Sequence, residues 1–103
     1  MVSYDLTPEA EEDLKDIIRY TLEQWGLEQA QRYADLLETG CQKIANEMVI
    51  SRTFSQKYPD VYVTKCEHHF IFYLRRSPRP LIIAILHERR DLVNRLKSRL
   101  EEI

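Results

Sequence analysis

Two amphipathic helical stretches abut at Gly26 with no loop between them, and this junction constrains the fold more than any other feature. The first opens with Thr7 in the N-cap position and Pro8 at the first helical position. Glu9, Glu11, Glu12 and Asp13 then lie against the positive end of the helix dipole. Ala10, Leu14, Ile17, Ile18, Thr21, Leu22 and Trp25 recur at helical spacing and predict one apolar face. Gly26 is the residue type that ends such a helix, because glycine accepts backbone angles closed to others. From about Leu27 to about Glu47 a second stripe follows, carried by Ala30, Tyr33, Ala34, Leu37, Cys41, Ile44, Ala45 and Met48. So short a connection forces an antiparallel helical hairpin, whose apolar face needs another layer to cover it.

The rest of the chain supplies that layer. Val2, Tyr4 and Leu6 alternate with Ser3 and Asp5, predicting a short strand ahead of the hairpin. After the hairpin, Met48-Val49-Ile50 is apolar, Ser51 to Asp60 is polar, and Tyr58-Pro59-Asp60 reads as a turn. Val61 to Lys65 is a strand, Glu67-His68 a tight connection, and His69 to Leu74 the next strand. Arg75 to Pro80 is a turn. Leu81 to Leu86 is apolar on both faces and is expected to be a central, doubly covered strand. Short turns between neighbours favour an antiparallel meander. Glu88 to Ile103 predicts a final helix, capped by Asp91 or an earlier residue, with Leu92, Val93, Leu96, Leu100 and Ile103 on one face. The predicted fold is α+β in a single domain, residues 1–103. An N-terminal strand and a helical hairpin pack on a small antiparallel sheet, with a C-terminal helix appended.

Charge is unevenly placed. Residues 1–51 hold 11 acidic and 4 basic side chains, whereas residues 52–103 hold 6 acidic and 11 basic ones. A bipolar molecule of this kind steers charged partners towards one face. The first residues lack the basic and apolar runs of a targeting segment, and no apolar stretch approaches the roughly 20 residues of a membrane span. Cytoplasmic residence is the expectation. Cys41 sits on a helical stripe and Cys66 stands apart, so both are expected as free thiols. His68 and His69 are adjacent and point to opposite faces of a strand, so no metal site is expected, and no cofactor.

Four blocks together resemble the ParE branch of the RelE/ParE toxin superfamily: LTPEAEEDLKDIIRYTLEQWG (Leu6 to Gly26), the Ala30 and Tyr33 spacing, FIFY (Phe70 to Tyr73) and ILHERRD (Ile85 to Asp91). The resemblance runs from Tyr4 to Asp91. It departs from the pattern at NEMVISRTFSQ (Asn46 to Gln56), where a proline and a Gly-Arg pair are usual. It departs again at Cys66-Glu67-His68-His69, where a glycine and a basic residue are common. The resemblance implies the toxin of a type II toxin–antitoxin pair, with growth inhibition and plasmid stabilisation as its cellular effects. Its implied partners are DNA gyrase, which it would inhibit, and a neutralising ParD-like antitoxin.

An enzyme is the alternative, similar to the RelE and YoeB branch that cuts messenger RNA on the ribosome. That reaction needs an activated 2′-hydroxyl, a general acid and basic groups on the phosphate. His87, at the end of an apolar strand, is the alternative catalytic residue, with Lys65, Arg75 and Arg76 near strand ends and Glu67 a candidate base. The binding reading is preferred. Arg89, Arg90, Arg95 and Trp25 are the candidates for gyrase contact, and Val61, Val63, Phe70, Phe72 and Leu96 for antitoxin contact. Interleaved aromatic and basic residues from Tyr62 to Arg75 resemble a base-stacking surface but are expected to be core, so no specific nucleic-acid binding is expected. The C-terminal helix is expected to be dispensable for folding, with its basic residues serving the gyrase contact.

Overall fold

The computed structural model describes residues 3–101. Val2 and Ile103, predicted for a strand and a helix, lie outside the described residues. The order is β1 (Asp5–Leu6), α1 (Pro8–Trp25), α2 (Leu27–Ala45), β2 (Arg52–Ser55), β3 (Tyr58–Cys66), β4 (His69–Leu74), β5 (Leu81–His87) and α3 (Leu92–Glu101). The five strands form one sheet in the order β1-β5-β4-β3-β2. The α+β architecture expected from the sequence is present. The sheet is mixed rather than purely antiparallel, because β1 runs parallel to β5 while β2 to β5 form an antiparallel meander.

Local chemistry sets the hairpin. The Thr7 hydroxyl accepts from the Ala10 N–H at 3.1 Å, so it is the N-cap, and Pro8 occupies the first turn. Gly26 takes φ 91°, ends α1 by donating to the Leu22 carbonyl, and at once accepts from Ala30 to begin α2. Gly40 has a role that helix propensity alone conceals. A Cβ there would stand 2.8 Å from Cys66 Sγ and 3.3 Å from Ile71 Cδ1, so glycine lets α2 lie close on β3 and β4.

The sheet separates two apolar layers. On the hairpin side, Leu37, Cys41 and Ile44 of α2 and Ala10 of α1 pack on Ile71, Tyr73, Ile82 and Ile85. On the other side, Leu96 of α3 packs with Val61, Val63, Phe72, Ile83, Ala84 and Leu86. Strand residues alternate between these layers, which is why β5 is apolar on both faces, as the sequence predicts. Its place in the order differs: β4 is the middle strand, and β1 covers only the first two residues of β5.

Two expectations are corrected here. Tyr58-Pro59-Asp60 is the start of β3, not a turn; the turn falls at Gln56-Lys57 and joins a strand, β2, inside the polar stretch. A short exposed strand at a sheet edge keeps little apolar periodicity, and Pro59 fits beside it where the ladder is irregular. Phe70 and Phe72 share the face that lies under α3. Finally, α3 is no appendage: Leu96 is fully buried, and Leu92 and Leu100 pack beside it.

Candidate binding cleft

α1 leaves β1 and runs alongside the edge of β5 that β1 does not reach. The backbone there is capped by side chains. Asp13 accepts from the Ile85 N–H at 3.0 Å, while Arg99 of α3 donates to the Ile83 carbonyl at 2.9 Å and to Asp13 at 2.8 Å. The Asp13–Arg99 pair is largely shielded from water and ties α1, β5 and α3 together. An edge otherwise open to other strands is thereby blocked along its middle.

Past this ion pair the two walls diverge into a cleft of about 780 Å³. Ile17, Tyr20, Thr21 and Trp25 of α1 line one wall. The end of β5 and the segment after it line the other, with His87, Arg89, Arg90 and, from α3, Arg95. All four residues predicted for gyrase contact thus face one space, although Trp25 and Arg95 lie 70 positions apart in the chain. Trp25 is 70% exposed, so it does not serve as packing for the hairpin tip.

Charge pairing distinguishes these arginines from several other basic residues of the sheet and its loops. Lys65 pairs with Glu88 at 2.9 Å, Arg76 and Arg79 pair with Asp5, and Arg75 stacks 4.1 Å above the Tyr62 ring. Among the described residues, no side-chain ion pair or hydrogen bond engages Arg89, Arg90 or Arg95. Three exposed guanidinium groups are left free to meet a partner's anionic groups.

The floor of the cleft carries the histidines. Tyr33 Oη accepts from the His68 N–H and shares a 2.6 Å hydrogen bond with His69 Nδ1. Burial, helped by His87 and His68, pulls the His69 pKa down to about 4, and the ring stays neutral. His87 lies edge-on to His69, with ring centres 5.0 Å apart. Its Nδ1 accepts from the Arg89 N–H at 3.1 Å, which places the proton of the neutral ring on Nε2. Glu88 turns away to Lys65 and His68, whose hydrogen bonds draw its pKa down to about 2. No group of three His, Cys, Asp or Glu side chains among the described residues is placed to hold a metal ion.

The antitoxin candidates lie elsewhere, packed within the chain's own fold. Val61, Val63, Phe72 and Leu96 are buried in the layer beneath α3, and Phe70 is half-buried against it. Apolar residues on adjacent strands attract a covering layer, and the chain's own C-terminal helix provides it. The large apolar side chains that do face outward are Tyr20, Leu22, Trp25, Leu27, Met48, Ile50 and Val93. The aromatic stretch between Tyr62 and Arg75 is likewise occupied within the fold, with Tyr62 stacked on Tyr73 and Phe54 edge-on to Phe72.

Known proteins resemble this chain in sequence and in fold. A family model described as "ParE toxin of type II toxin-antitoxin system, parDE" matches residues 4–92. The chain belongs to the ParE toxin family. Toxin ParE of Escherichia coli is 45% identical over 102 residues, covering 98% of this chain and 99% of the relative. Toxin ParE1 of Mycobacterium tuberculosis is 27% identical over 90 residues, covering 86% and 92%. A chain from the "Chromosomal ParDE TA system from P. aeruginosa" has the same fold, with a TM-score of 0.68 at 20% identity. It covers 84% of this chain and 96% of that one. The ParE family match spans both cleft walls, including Trp25, Arg89 and Arg90, and stops where α3 begins, so Arg95 and Arg99 lie beyond it.

Proposed function

We propose that this ParE-family toxin inhibits DNA gyrase through the cleft between α1 and the end of β5, and that a ParD-like antitoxin neutralises it. The convergence of Trp25, Arg89, Arg90 and Arg95 carries this reading. An exposed tryptophan beside unpaired arginines is the composition of an interaction hot spot, where large rings and planar cations supply most of the binding energy. Binding rather than catalysis fits the histidine geometry. A general acid and a base have to converge on one nucleotide, and His87 Nδ1 is already engaged by the Arg89 N–H. Glu88, the nearest carboxylate in the chain, is held by Lys65 and His68.

A supercoiling assay with purified gyrase tests the proposal. The intact protein should inhibit supercoiling and leave cleaved DNA. Reversing both charges, Arg89→Glu with Arg90→Glu, should weaken inhibition at least about tenfold, the effect of losing roughly 1.4 kcal/mol. Antitoxin binding should survive the double change. Codon-positioned cuts in translated message, lost on His87→Gln, would instead identify a ribosome-dependent nuclease and overturn the reading.

A further inference from the structure

The edge of β5 holds an unfilled place for a strand. In an antiparallel ladder, residues point their N–H and C=O alternately towards one neighbour and the other. The Glu88 N–H donates to the His68 carbonyl, which sets the phase: Leu86 and Ala84 turn to β4, while Ile85 and His87 turn outward. Asp13 already takes the Ile85 N–H, and the Arg90 N–H takes the His87 carbonyl. This leaves the Ile85 carbonyl and the His87 N–H, both on the cleft wall, with no partner among the described residues.

These two groups are the pair that a single residue of a parallel strand engages, its N–H meeting one carbonyl and its C=O the N–H two residues on. An antiparallel residue would need both groups of Ile85 or both of His87, and one of each is taken. The same edge is filled in the parallel sense just upstream. β1 does so with its backbone at Leu81 and Ile82, and Arg99 and Asp13 imitate it with side chains at Ile83 and Ile85.

We propose that the cleft binds an extended acidic segment of a partner protein as a short strand parallel to β5, bridging the Ile85 carbonyl and the His87 N–H. The bridging residue lies opposite Leu86 and directs its side chain to the face of α3, where Arg95 lines the cleft. A carboxylate suits that position. The residues on either side point to the α1 wall, where Ile17, Tyr20 and Trp25 favour apolar groups. Main-chain bonds supply attachment and the alternating side chains supply selection, as in other strand additions. The mode of binding is separate from the identity of the partner, so it stands whether or not gyrase is the target.

Acetylated, amidated pentapeptides of alternating leucine and glutamate, with glutamate at the centre, are the probe, read by amide NMR on the full chain. The expected result is a shift and slowed exchange of the His87 amide. Binding should weaken about tenfold in Arg95→Glu, a charge-assisted contact of roughly 1.4 kcal/mol. N-methylation of the central residue, which removes the donor to Ile85, should abolish the His87 response, and a central lysine should do the same. The proposal is overturned if no peptide perturbs His87, if the N-methylated peptide binds equally well, or if the shifts centre on β2 at the opposite edge. Because no gyrase is present, failure here leaves the supercoiling result unaffected.

Discussion

At the scale of single residues, two buried polar groups do most to define this molecule. His69 is only 8% exposed and neutral in the fold, whereas in the unfolded chain its ordinary value is 6.5. Its depressed pKa means that its contribution is complete above about pH 6.5 and disappears as pH falls towards 4, because only the unfolded chain takes up the proton in that window. The loss should amount to at most about 3 kcal/mol at 1.36 kcal/mol per unit. Urea unfolding between pH 7 and 4.5 should show this slope in the wild type and a clearly shallower one in His69→Gln. Asp13 is the second group. Asp13→Asn keeps an acceptor for the Ile85 N–H but removes the carboxylate charge that faces Arg99, and should cost about 2–3 kcal/mol, near the lower end for a broken buried pair. A double-mutant cycle with Arg99→Gln, read by chemical denaturation, should return a coupling above about 1 kcal/mol. Cys41, by contrast, is chemically quiet, since burial pushes its thiol up to about 12.

At the scale of elements, α3 decides whether the sheet has one covered face or two. Leu92, Leu96 and Leu100 lie over Phe72, Ile83 and Leu86, and Arg99 reaches past β5 to α1. Burial of three leucines at about 2 kcal/mol each, together with the ion pair, approaches the entire stability expected of a domain this small. Deleting residues 92–103 should therefore give an insoluble or molten chain with lost near-ultraviolet circular dichroism, instead of a folded protein lacking only its toxicity. Recovery of a folded, cooperatively unfolding truncation would show that the hairpin side alone sustains the fold. The hairpin behaves differently. Its caps at Thr7 and Gly26 are local, and both are readable in the chain without knowledge of anything distant.

At the scale of the whole molecule, acidic and basic halves become opposing parts of one cleft and its surroundings. The acidic first helix stands against the arginines that follow β5, and only the side of β5 beyond the Asp13–Arg99 pair stays open. Trp25, the single tryptophan, sits there in water. Its fluorescence should change little on unfolding while far-ultraviolet circular dichroism reports a cooperative loss. It should shift to shorter wavelength when a partner fills the cleft. A large emission change on unfolding, with none on partner binding, would place Trp25 away from the interface.

The chain alone determined the hairpin, the meander and the final helix, because caps and periodicity are written in local order; it also named Trp25, Arg89, Arg90 and Arg95 as candidates, which the fold gathers in one cleft. It concealed β2, whose exposed edge position leaves no apolar pattern. It offered Val61, Val63, Phe70, Phe72 and Leu96 to a partner, because an apolar strand face looks the same whether a partner or the chain's own helix will cover it. Tertiary structure alone settled that α3 is the cover. Only the fold, moreover, could show which arginines are spent on Asp13 and Asp5 and which are left for a partner, since ion pairs join residues that sequence holds far apart. The unfilled place on β5 has no signature in side chains at all, because it consists of one carbonyl and one N–H of the backbone.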